Sequence, residues 1–420
     1  MIIDDNKPCR PSFRNEIFGR ERCKYLYSKN IYLPNQVKKS GYLFIEDGII
    51  KDLVNQIEDG VPFEDYSDYL LIPGFIDQHL HGWGTGSFTS QKTKDSIYEM
   101  QKHLPDVGVT SFLATSGAEP IDDIVHGIQL CGDIMNEDNT FGATLLGVHL
   151  EGPFVSKKNK GMMNEDCFKD PSVEIMQRFV DAQVKDGTIK LMTMAVELPG
   201  SKEVIQYCHK NGIQISVGHS SATFADITEL KQYGIGGVTH MFSGMSGFHH
   251  RELGVAGTAL YYDDLYCEFA KQTGMTVKPE AFAIAYKLKG PNRIIMTTDD
   301  IGVAQTDKER YHYIRKQTFI PDGNKFIVRN DDGSEIVYDR TNYDEIKHLE
   351  LGYIYSIQNL NKNIHPSVHE MIKMTSENSA KYLNVYDRKG SLEVGKDADI
   401  LVIDKDYNLF ATYCMGRKCK

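Results

Sequence analysis

Between residues 70 and 300 the chain repeats one rhythm, a short apolar run followed by a longer stretch of helical period. The runs are LLIPGFID (70–77), GVTSFLAT (108–115), GATLLGVHLE (142–151), TIKLMTMAVE (188–197), IQISVGHS (213–220), GIGGVTHMF (234–242), DLYCEFAK (264–271) and NRIIMTTDD (292–300). Strands buried on both faces read as continuous apolar runs, and parallel neighbours need a crossover, usually a helix, to join them. The amphipathic stretches SKEVIQYCHKNG and ATFADITELKQYG close on Gly212 and Gly234, where a helix C-terminal cap belongs. Eight such βα repeats predict an α/β protein built on a (β/α)8 TIM barrel.

The two ends lack this rhythm. YLYSKNIYL and SGYLFIEDGII, with turn chemistry at Glu46-Asp47-Gly48, lie before the barrel, and GSLEVGKDADILVIDKDYNLFATY lies after it. Neither end carries enough strand to cover both faces of its own sheet. Together they predict one small β-sandwich domain formed by both termini, residues 1–69 plus 386–420, beside a catalytic barrel domain at 70–385. Asp322-Gly323 and Asp332-Gly333 mark hairpin turns, so a β-hairpin insertion is expected on a barrel loop at about 305–345.

Charge and cysteine usage narrow the function classes. Lys and Arg total 47 against 58 Asp and Glu, a net charge of −11. That opposes nucleic-acid binding, which needs a basic surface, but leaves room for a small anion held by one local cation. The 8 cysteines are scattered, with no C-x-x-C, as in a reduced protein. The opening MIIDDNKPCRPSFRNE has no apolar core of a signal peptide. No run approaches the ~18 apolar residues of a membrane helix. A cytoplasmic protein with no membrane and no nucleic-acid partner is expected.

The chemistry lies at the ends of the runs. His79 and His81 follow the first, Glu151 ends the third, His219 and His240 lie near the ends of the fifth and sixth, and Asp299 nearly closes the eighth. In a (β/α)8 barrel the C-terminal strand ends converge on one face, so residues more than 200 positions apart are expected to meet. In H-x-H both imidazoles fall on one side of an extended chain, because side chains alternate. Histidine and carboxylate together suit zinc or a similar divalent metal. Any of these residues taken singly reads as readily as a capping or structural group; their joint placement carries the metal reading. His149 shares its parity with Glu151 and is expected inside the barrel, packed beside the ligands.

The segments PGFIDQHLHG, GVHLEGPF, SVGHSSAT, VTHMFSGMSGFHHRELGVAG, IIMTTDDIG and GSLEVGKDADILVID resemble the amidohydrolase superfamily, and within it the N-acetylglucosamine-6-phosphate deacetylase family, from about residue 40 to 418. The resemblance implies an enzyme that releases acetate from an N-acetylated amino sugar phosphate. Glu151, His219 and His240 match the principal metal ligands, and His79 and His81 the pair that holds a second metal in some members. One or two divalent ions per subunit are implied, zinc first, with iron, manganese or cobalt as alternatives. Asp299 matches the catalytic aspartate, which takes a proton from water and returns it to the leaving nitrogen. Arg251 matches the arginine that contacts the substrate phosphate, in a homodimer across the subunit boundary, and His250 lies beside it.

Sugar recognition departs from the family pattern. Gly161-Met162-Met163 stands where G-x-H is usual, so a methionine replaces a carbonyl-polarising histidine; Ser243 and Gly244 replace an asparagine and an alanine; and Thr273-Gly274-Met275-Thr276 stands for D-G-x-H. Met162, Ser243, Gly244 and Thr276 are therefore candidate substrate contacts. Trp83, the only tryptophan, lies two residues past His81, where an aromatic face could stack on a sugar ring. Three functions remain open on the sequence: the deacetylase, an amidohydrolase acting on another N-acyl substrate, and a sugar-phosphate-binding relative without turnover.

Overall fold

A computed structural model describes residues 23–137, 142–270, 276–312 and 315–420. Eight parallel strands form one sheet in chain order: Phe75–Leu80, Val109–Ser116, Thr144–Glu151, Ile189–Met194, Gln214–Val217, Ile235–Val238, Tyr266–Ala270 and Ile294–Thr297, here barrel strands 1 to 8. Strand 8 returns to strand 1 through local bonds: the Asp299 N–H donates to the His79 carbonyl at 2.9 Å and the His81 N–H to the Asp300 carbonyl at 2.8 Å. The barrel is thus closed at residues expected in the site. Helices alternate with the strands, as the apolar rhythm requires. Ser201–Lys210 is followed by Gly212 at φ +72°, and Phe224–Lys231 starts on a capping box between Thr223 and Asp226.

The first apolar run does not form one strand. Leu70–Pro73 belongs to the small domain, pairing with Asn30–Leu33 and Ile400–Ile403, and the barrel begins only at Phe75. Gly74 makes the transition possible. Its N–H donates to the Asp399 carbonyl, and a Cβ there would lie 2.1 Å from Thr110 Oγ1. The edge of the small domain therefore moves past residue 70, because the same apolar stretch serves two sheets in succession.

The small domain is a sandwich of a four-stranded and a six-stranded sheet, drawn from both ends of the chain. Its core includes Leu26, Leu43, Ile45, Leu71, Ile400, Val402 and Tyr413. Gly41–Glu46 alternates buried and half-buried residues, the pattern of a strand with one face on a core. Lys389 is buried between Asp397 and Asp399, at 3.0 and 2.6 Å. After strand 8 the chain makes an antiparallel sheet of Arg310–His312, Gln317–Asp322, Lys325–Asn330 and Glu335–Asp339, turning at Gly323 and Gly333 with positive φ. Phe319, Phe326 and Val328 pack beneath it with Ile346 and Leu349.

Candidate metal centre

His219, His240 and Asp299 each lie two residues beyond the last residue of their strands, Val217, Val238 and Thr297. All three adopt left-handed backbone, with φ of 47°, 33° and 52°. A non-glycine residue held there costs on the order of 1–3 kcal/mol and persists only where its surroundings fix it. The shared turn directs three side chains inward just above the barrel, where they meet His79 of strand 1, His81 and Glu151, the last residue of strand 3.

The six side chains form two adjoining sets, His79 with His81 and Asp299, and Glu151 with His219 and His240. Glu151 joins them. Its Oε1 lies 3.0 Å from Nε2 of both His219 and His240, and its Oε2 lies 3.3 Å from His81 Nε2. Asp299 Oδ1 lies 3.4 Å from Nε2 of both His79 and His81. The Asp299 side chain is 29% exposed, whereas Glu151 and the four histidines are buried, so it is the member that faces the mouth.

The far side of each ring settles its tautomer. His219 Nδ1 lies 2.7 Å from the Asn159 carbonyl, His240 Nδ1 3.0 Å from the Ser243 carbonyl, His81 Nδ1 3.1 Å from the Thr115 carbonyl, and His79 Nδ1 2.8 Å from Glu268 Oε1. Carbonyl and carboxylate oxygens only accept, so each Nδ1 carries a proton and donates it. In the neutral rings all four Nε2 lone pairs then point at the same space as two carboxylates. His79 Nε2 is buried and makes no hydrogen bond among the described residues. Converging lone pairs and anions with no donor between them fit a divalent cation.

Without a cation, protons take its place. Burial lowers the His81 pKa, but Asp299 and Glu151 outweigh it and bring the ring up to about 9. Burial likewise opposes charge on His79, yet Glu151, Asp299 and Glu268 hold its pKa well above the ordinary value. Burial pushes Glu151 and Asp299 up, and the facing imidazoles overcome it, keeping both carboxyls well below the usual range. His149 takes the packed position expected of it: Nε2 is 2.8 Å from Thr193 Oγ1, and burial, then His79, drives its pKa well down.

The expected substrate contacts divide. Gly161 and Gly244 line the site: a Cβ on Gly161 would lie 3.2 Å from His219 Cε1, and one on Gly244 3.2 Å from His240 Cε1 and 3.3 Å from His219 Cε1. Both have positive φ, +57° and +56°. Ser243 supports His240 through its carbonyl. Met162 is exposed at 69%, and His250 and Arg251 are exposed on the turn closed by the His249–Glu252 bridge. Thr276 Oγ1 donates to the carbonyl of Ala270, the last residue of strand 7, at 2.6 Å. Thr273, Gly274 and Met275 lie outside the described residues.

Trp83 corrects the sequence reading. It is 1% exposed within the main hydrophobic core, and a Cβ on Gly352 would lie 2.9 Å from its Cη2. A ring closed in on this way offers no face to a sugar. The loop after strand 1 packs against the helix Lys94–His103, where a Cβ on Gly86 would lie 2.1 Å from the Ser96 carbonyl, and spacing from His81 cannot reveal this. Sequence reasoning also missed Glu268, which is buried in strand 7 against His79. Its signal was present, a glutamate in the middle of the apolar run DLYCEFAK.

Comparison with known proteins agrees with this geometry. The model of the amidohydrolase family matches residues 70–419. The N-acetylglucosamine-6-phosphate deacetylase of Bacillus subtilis is 32% identical over 395 residues, covering 92% of this chain and 94% of its own. The enzyme of that name from Lysinibacillus sphaericus is 30% identical, covering 89% and 92%. A crystal structure of N-acetylglucosamine-6-phosphate deacetylase from Pasteurella multocida superposes with a TM-score of 0.79 at 23% identity over 94% of this chain and 99% of that one, a likeness of fold. With a barrel closed beside this cluster of imidazoles and carboxylates and a family match running over residues 70–419, this chain belongs to the amidohydrolase family.

Proposed function

We propose that this protein hydrolyses the N-acetyl amide of an amino sugar phosphate, most simply N-acetylglucosamine 6-phosphate, releasing acetate and the amino sugar phosphate. The carrying observation is the convergence of His79, His81 and Asp299 with Glu151, His219 and His240, in a chain similar along nearly all its length to deacetylases of that substrate. Zinc suits this set of imidazoles and carboxylates, with iron, manganese or cobalt as alternatives.

A divalent ion held there supplies Lewis acidity, making water a stronger acid near neutral pH and drawing electron density from an amide carbonyl. The chain's own residues do the rest. Four tautomer-locked histidines and the bridging Glu151 set the geometry before substrate arrives, so little reorganisation is needed during reaction. With an ion held between these ligands, its positive charge would keep Asp299 ionised. Asp299 therefore acts first as a base, accepting a proton from the attacking water at its carboxylate, and then donates that proton to the leaving nitrogen. Its partial exposure at the mouth lets one carboxylate reach both atoms. Arg251 is the candidate for the phosphate, in a homodimer whose partner subunit completes the site.

A second reading, deacylation of a different N-acyl substrate, is favoured by the loop that Gly161 presses against His219. Its next residues are methionines, and a thioether donates no hydrogen bond to a scissile carbonyl. Acetate release from a panel of N-acetylhexosamine 6-phosphates, with metal analysis of the same sample, tests both. Turnover of a phosphorylated hexosamine that falls steeply in Arg251→Ala supports the first. Preference for an unphosphorylated amide, indifferent to Arg251→Ala, replaces it with the second.

A further inference from the structure

We propose that Glu268 is a positioning residue for this centre: its buried carboxylate fixes the imidazole of His79 and anchors the backbone at His240, so that both ligand sets take their alignment from one side chain. The proposal rests on the metal reading above, not on the identity of the substrate.

Glu268 is 1% exposed, and Cys267, Phe269 and Ala270 beside it on the strand are also buried. Its Oε1 is 2.8 Å from His79 Nδ1 and accepts the His240 N–H at 3.2 Å, while its Oε2 accepts from Gln78 Nε2 at 2.7 Å. The strand is tied to the same region a second time, since the Glu268 carbonyl accepts the Met241 N–H at 2.7 Å. One side chain on strand 7 thus grips strand 1 through Gln78 and His79 and the turn after strand 6 through His240.

A buried carboxylate is costly where its partners are neutral donors. The cost is offset when the imidazole it holds faces a cation, because the carboxylate then raises the basicity of the ligating nitrogen. His81, His219 and His240 rest on neutral carbonyls, whereas His79 rests on a full negative charge. Glu268 therefore serves ligation as well as packing.

Glu268→Gln isolates the charge. Its amide oxygen keeps the bonds from His79 and His240. Rotation of the Gln78 amide offers the new NH2 an acceptor, because Gln78 Oε1 makes no hydrogen bond among the described residues. The fold is therefore expected to be retained, with only the negative charge lost.

The test is equilibrium competition for Zn2+ against a chromophoric chelator, using the full chain as wild type, Glu268→Gln, His79→Ala and the double variant. Glu268→Gln is expected to weaken zinc binding by about 10–100-fold in the parent, the range for an outer carboxylate on a metal-bound histidine. In the His79→Ala background the same change should have less than about a twofold effect, since the two residues act as a unit. A Glu268→Gln affinity within about twofold of wild type, or equal weakening in both backgrounds, overturns the proposal. A wild type that takes up no zinc overturns the metal reading and the proposal together. The readout is metal affinity, so failure of the deacetylation reading leaves it untouched.

Discussion

His219 and His240 hold their Nε2 atoms 3.0 Å apart, with Glu151 Oε1 3.0 Å from each. Their Nδ1 atoms donate to the Asn159 and Ser243 carbonyls, so in the neutral rings two lone pairs face one another beside a carboxylate. Only a proton or a cation between them makes that arrangement favourable. The centre is accordingly a place where protons and metal compete.

That competition sets the pH response of the metal-free protein. His81 has its pKa raised to about 9 and His79 is also raised, so their contribution to stability is fully present below the ordinary histidine value and is lost as pH rises through the folded one. Denaturant unfolding of chelator-treated protein should show stability falling between about pH 6.5 and 9, with His81 alone contributing on the order of 3 kcal/mol. Metal-loaded protein should not follow this decline, because its rings are neutral and ligated. Equal profiles with and without metal would count against the assignment.

Asp299→Asn should remove the proton carrier while leaving the fold, since asparagine tolerates the left-handed backbone that Asp299 occupies. We expect kcat to fall by about 10²–10⁴-fold, the range for lost general acid–base catalysis. Metal held by Glu151, His219 and His240 should persist by elemental analysis. Loss of all metal would instead make Asp299 mainly a ligand.

Gly161→Ala tests the close approach of the 161–163 loop to the centre. The residue has φ +57°, and its added Cβ would meet His219 Cε1 at 3.2 Å. Strain of about 1–2 kcal/mol is expected from the backbone alone, together with weaker metal binding as the ring is displaced. Chelator competition and thermal unfolding measured together separate the two effects; unchanged metal affinity would mean the loop yields rather than His219.

Trp83→Phe should behave as a core change. Buried against Gly352, the indole contributes packing, and its reduction is expected to cost roughly 1–3 kcal/mol in denaturant unfolding with KM unchanged. A raised KM at full stability would restore a stacking role.

The six residues of the centre were legible because each lies at or just past the C-terminal end of an apolar run, and barrel closure brings those ends together whatever the loops do. Asp299 is the clearest case, since its own N–H closes the barrel on His79. Trp83 and Glu268 were not legible in the same way. Spacing past His81 did not say whether the loop would fold over the mouth or into the core, and the glutamate inside DLYCEFAK named a buried charge without naming its partner. The break at Gly74 was hidden too, because an apolar stretch serving two sheets reads as one strand.

Sequence alone determined the barrel, the composite terminal domain and the identity of the converging side chains, because apolar period and residue type are local properties. Tertiary structure decided which oxygen locks each imidazole tautomer and which strand ends turn left-handed. Those depend on contacts between segments as far apart as Gln78 and Glu268, 190 positions in the chain and 2.7 Å in space.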